Sequence, residues 1–264
     1  MPSVAETNTT TAPPLSATRS YTQVLAAMIV VAVLAMLPFR AEFSSQVRGF
    51  PQPGPLGQAL IVLVDIALSY AIIRAGLSLG RRVDLGWPPI DGWDGQFSSR
   101  PQLRRTVVSA LLLGAVMAIC MAVAIVLLSP QWHMRVELKM TVGASALASV
   151  GAGIYEEVWY RLGAMTLFAS MLTRLSVFAD SPRTAVWTAN ALAAAVFAAA
   201  HIPQTKAVAT LTPSLTAFVL LGNGALGLFC GWLYWRRGLL AAMIAHSTVD
   251  LILKVALPLA NIGA

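Results

Sequence analysis

Thr106–Ser129 reads TVVSALLLGAVMAICMAVAIVLLS and holds no charged residue. At about 1.5 Å per residue it makes a helix of about 36 Å, long enough to cross a hydrocarbon core of about 30 Å. Other runs on either side have the same character. Upstream lie Ser20–Phe39, without charge, and Leu56–Gly80, which contains Asp65 and Arg74. Downstream lie a charged run over 140–172, then Thr184–Ile202 ending before Pro203, Ser214–Trp235, and a last run that begins after Arg236-Arg237-Gly238 and reaches about Ala260. In lipid only helices and closed barrels satisfy every backbone group. Barrel strands are short and alternate, whereas these runs are long and uniformly apolar. The expected fold is therefore all-α: a polytopic membrane bundle of about seven transmembrane helices.

Composition agrees. Of 264 residues 57% are hydrophobic and 11% charged, against about 25% charged in soluble domains, and mean hydropathy is +0.72. Residues 1–19, rich in Thr, Ser, Ala and Pro, read as a disordered tail, and 20–264 as one transmembrane domain. The apolar core of Ser20–Phe39 is too long for a cleaved signal peptide, and no A-x-A-like site follows it. The net charge of +7 comes from Arg and Lys placed mostly between apolar runs, the pattern of cytoplasmic loops. No basic stretch is interleaved with aromatics, so nothing points to nucleic acid. Ten loop bases fall on the side of the N-terminus and five on the other. That excess places the N-terminus in the cytoplasm and, with seven spans, the C-terminus outside. The loop Arg81–Arg105 carries Trp87 and Trp93 and reads equally as an interfacial segment or a plain polar loop. Cys120 and Cys230 lie in apolar runs without metal-ligand spacing and read as small core residues.

Ionisable side chains inside a bilayer cost about 2.5–3.5 kcal/mol each on insertion scales, and are kept for pairing or for chemistry. Here they gather in the C-terminal half. In Tyr155-Glu156-Glu157-Val158-Trp159-Tyr160-Arg161, Glu157 and Arg161 are four apart and can pair on one helix face. Glu156 is turned about 100° away and is left for general-base work. Phe197-Ala198-Ala199-Ala200-His201 closes the next apolar run, and His246-Ser247-Thr248-Val249-Asp250 lies in the last. Glu, His, His and Asp together can activate water, with or without a metal ion. Taken alone, each group also reads as a buried polar contact between helices. Asn190, eleven residues before His201, reads as an interhelical hydrogen bond or as a group that orients His201. Asp65 reads as a bond to another helix, and Gly227-x-x-x-Gly231 as a close helix contact. Counted along the helices, His246 and His201 differ in depth, so convergence requires tilt or a break.

Glu156-Glu157-x-x-x-Arg161, Phe197-x-x-x-His201 and His246-x-x-x-Asp250 resemble the three-motif pattern of the CAAX-protease and bacteriocin-processing family, which includes the type II CAAX prenyl endopeptidases. The resemblance spans about residues 140–255. It implies an intramembrane endopeptidase whose substrate is a hydrophobic peptide or a membrane-anchored protein. It also implies that Glu156 and His201 activate water, and that His246 and Asp250 hold the oxyanion or a metal. Glu157, Arg161, Phe197 and Asn190 would shape the site. A divalent metal such as Zn2+, held by Glu156, His201, His246 and Asp250, stays open as a cofactor. The family's last motif often ends in asparagine. An ionised aspartate cannot donate to an oxyanion, so Asp250 must be protonated, bind a metal or orient His246. It also leaves room for a noncatalytic scaffold or immunity-type protein. A transporter using Glu156, Glu157 and Arg161 as a relay is the other alternative, although no repeated halves are found. The Arg- and Ala-rich composition and small size suit a bacterial inner membrane.

Overall fold

The structure is a computed structural model describing residues 15–49, 52–85 and 100–260. Trp87, Trp93 and the first 14 residues of the expected tail lie outside the described residues. Helix α1, Leu15–Ala35, starts inside that tail. It bends at Met36 into α2, Leu37–Gln46, whose second residue is Pro38. Proline supplies no N–H to a helix, so the bend falls where a backbone bond is lost. Then come α3, Pro55–Gly80, and α4, Arg100–Leu128.

The charged run forms one broken helix. It begins as α5, Val142–Glu157, capped by the Thr141 hydroxyl on the Ala144 N–H. It widens to a π-helix over Val158–Met165 and ends as α6, Thr166–Leu172. After it come α7, Pro182–Ala200, and α8, Ile202–Val208, with His201 at the break between them. The expected stop at Pro203 falls instead at His201: α8 begins at Ile202, with Pro203 in its first turn, where a missing N–H costs no bond, and runs on to Val208. Helix α9, Pro213–Arg237, turns into α10, Leu239–Leu251, through Gly238 alone. Gly238 has φ 86° and ψ 170°, a backbone region essentially restricted to glycine. A π-helix, Ile252–Ala256, and α11, Leu257–Leu259, are the last elements among the described residues.

Among the described residues, six helices or helix pairs are long and apolar enough to span a membrane: Tyr21–Gln46, Pro55–Gly80, Leu103–Gln131, Pro182–Val208, Pro213–Arg237 and Leu239–Leu259. The protein is a multi-pass membrane protein. The seventh expected span is the central α5–α6 helix, which carries the Glu-Glu-Arg group. Helix α5 packs against α1 and α10, the π-helix Val158–Met165 against α3 and α7, and α9 against α7 and α10. Leu, Val and Ile side chains of α3 and α4 remain exposed on the outer face, as lipid contact requires.

The α7–α9 contact uses the glycines singled out from the sequence. A Cβ at Gly227 would lie 2.9 Å from the Ala194 backbone, and one at Gly231 would collide with the Asn190 side chain. Gly227→Leu should therefore push the two helices apart. The expected loss is about 1–3 kcal/mol, read as earlier thermal unfolding in detergent, and an unchanged melt would contradict the close approach.

Candidate active site

The central helix and α10 bring the acidic and imidazole groups together. His246 is buried between two carboxylates. Its Nδ1 lies 2.7 Å from Glu157 Oε1, and its Nε2 lies 3.6 Å from Glu156 Oε2. An ionised carboxylate only accepts, so Nδ1–H donates to Glu157. In the neutral imidazole this leaves the Nε2 lone pair turned toward Glu156. Glu157 Oε2 takes a second bond, 3.1 Å from Arg161 Nε. Glu157 and Arg161 are both fully buried, while the Glu156 side chain is 25% exposed. Glu157 is thus engaged in a buried pair, and Glu156 is the partly exposed glutamate of the two.

Phe197 resolves the depth question. It is fully buried, and its ring centroid is 4.6 Å from that of His201 and 5.8 Å from that of His246. Tyr160 meets it edge-on at 5.1 Å, and the Arg161 guanidinium carbon lies 5.4 Å from its centroid. The π-helix beside it and the break at His201 are the irregularities that let α7 and α10 share this ring. His201 Nδ1 lies 2.8 Å from the Phe197 carbonyl oxygen. A carbonyl only accepts, so Nδ1–H donates, and Nε2 remains the basic nitrogen.

Two residues sit differently from the catalytic expectations. Asn190 donates to the Leu228 carbonyl at 3.0 Å, which is the interhelical reading. Asp250 Oδ2 lies 2.6 Å from Lys254 Nζ, so it pairs with a cation one turn on. Asp65, read as bonding another helix, pairs with Arg40 of α2 at 2.8 Å. Tyr155 approaches its other oxygen at 3.5 Å, and Trp159 donates to Ser69 at 2.8 Å. These contacts tie α2 and α3 to the residues flanking Glu156.

The sequence reads Cys230 as a small core residue, not as part of the site. It is fully buried, and its sulfur lies within 4.8 Å of ligand atoms on Glu157 and His246. By spacing the three could hold a metal ion. Their electrostatics argue otherwise. Both Glu157 oxygens are already engaged, and Arg161 Nη1 and Nη2 are buried there without a hydrogen-bond partner. A cation bound to Glu157 would share it with a buried guanidinium, so the three residues as arranged do not fit a resident metal. In the set expected from the sequence, Asp250 is likewise neutralised by Lys254.

Residues 139–252 match the family model described as type II CAAX prenyl endopeptidase Rce1-like. That segment contains all three motifs, so this part of the chain is similar to a protease family. No curated protein and no solved structure matches the chain.

Proposed function

We propose that the protein is an intramembrane endopeptidase that hydrolyses a peptide bond of a hydrophobic or membrane-anchored substrate. The observation that carries this reading is the seating of His246. Glu157 holds one ring nitrogen and the other faces the partly open Glu156, the arrangement of a base with an oriented partner. Glu156, which faces His246 Nε2 at 3.6 Å, takes a proton from water as the oxygen attacks the substrate carbonyl, and His201, packed on Phe197, is assigned to the same water. The carbonyl carbon becomes tetrahedral. Its collapse breaks the C–N bond, and the proton held by the acid–imidazole pair passes to the leaving amine. Phe197 keeps the two imidazoles at a fixed separation. Glu157 and Arg161 keep His246 in one tautomer without entering the reaction. The bacterial inner membrane suits the composition as the location.

The test is cleavage of hydrophobic and farnesylated peptides by the purified protein in detergent, with and without a metal chelator. Cleavage is expected, and because no step is assigned to a metal it should survive the chelator. Chelator-dependent loss that zinc restores would contradict the metal-free reading. Absence of cleavage across the library by a folded protein would contradict the peptidase reading.

A further inference from the structure

The proposed reaction puts negative charge on the substrate carbonyl oxygen, and the acids and imidazoles assigned above do not neutralise it. Preorganised donors aimed at such a charge are commonly the largest single catalytic contribution. Arg161 is fully buried and its Nε is spent on Glu157. Ionised Asp250 can only accept. Lys254 remains. Its Nζ is 2.6 Å from Asp250 Oδ2, and its side chain is 48% exposed, against 9% for Asp250. Glu156 is within electrostatic range of the same ammonium.

The backbone explains the placement. His246, Asp250 and Lys254 follow at intervals of four, and in a continuous α-helix each step would drift about 40° around the axis. Lys254 instead sits in the π-helix Ile252–Ala256. Its wider turn reduces that drift and keeps Lys254 under Asp250. Side chains of a helix lean toward its N-terminus, so the ammonium points back along α10 toward His246. Ammonium has three N–H donors. Asp250 takes one, and two are left for an incoming oxygen.

We propose that Lys254, held by Asp250, is a catalytic residue that donates to the oxyanion formed on the substrate carbonyl. Asp250 is then a positioning residue acting through it. The assignment rests on the peptidase reading and adds the charge-stabilising group to it.

Steady-state cleavage of a farnesylated peptide, with kcat and KM separated, tests the assignment on two neutral double variants. D250N/K254M replaces the ion pair with a carboxamide that can itself donate. D250A/K254M removes the pair and every donor. Neither leaves an unpaired charge, and melting curves show which variants fold. The expected result is a kcat about 10²–10³-fold below wild type for D250A/K254M, with KM little changed. D250N/K254M and K254R should keep most of the activity. A kcat near wild type in folded D250A/K254M would make the pair a structural counterion arrangement and overturn the assignment while the peptidase reading stands. Should D250A/K254M not fold, D250L/K254M, which is also neutral and has no donor at either position, is compared with K254R instead. A folded wild type that cleaves nothing would remove the peptidase reading and the assignment with it.

Discussion

Arg161→Met should cost about 3–5 kcal/mol of stability, because it strands a charge in a dry interior. Glu157 and Arg161 are both fully buried and joined at 3.1 Å. The remaining guanidinium nitrogens have no hydrogen-bond partner, and the group lies over the Phe197 ring. That face supplies cation–π attraction where polar partners are missing. Removing the cation leaves Glu157 with His246 alone. A proton drawn onto His246 would relieve part of the cost but would fill the nitrogen that faces Glu156. Glu157→Gln with Arg161→Met removes both charges and should recover most of the loss, since neutral replacement of a buried pair is often close to neutral. Unfolding in detergent, followed by circular dichroism, reads both variants. A single variant as stable as wild type would show that no ionised pair is buried there.

Glu156→Gln should lower the cleavage rate by about 10²–10⁴-fold, the range for loss of a general base, while leaving stability nearly unchanged. The two outcomes separate because Glu156 is the partly open glutamate and takes no part in the Arg161 pair. Gln keeps the shape and the ability to hydrogen-bond but cannot take a proton from water. Equal loss in kcat and kcat/KM would place the role in the transition state. A rise in KM alone would make Glu156 a substrate-binding group instead.

Spacing within one helix made the Glu157–Arg161 pair readable from the chain, and it also isolated Glu156. Apolar runs of bilayer length made the helical bundle readable. The depth of His201 was not readable, because it depends on a break at His201 itself and on a π-helix at Val158–Met165. Neither leaves a period in the hydrophobic pattern. Cys230 joins Glu157 and His246 only through the crossing of α9 with the central helix, so linear spacing carries no trace of it. Lys254 was different. Its place four residues after Asp250 is visible in the chain, but the π-helix that carries it leaves no signal in the spacing. Asn190 shows the limit of face counting: it shares a helix with His201, yet its amide is aimed at α9.

The most direct test of the central claim is cleavage of a farnesylated peptide in H2(18)O, with the products weighed by mass spectrometry. Water attack predicts two fragments from the wild-type protein, with one heavy oxygen in the new carboxylate, and intact peptide from a folded Glu156→Gln variant. Intact peptide with the folded wild type, or equal cleavage by both proteins, would contradict the account.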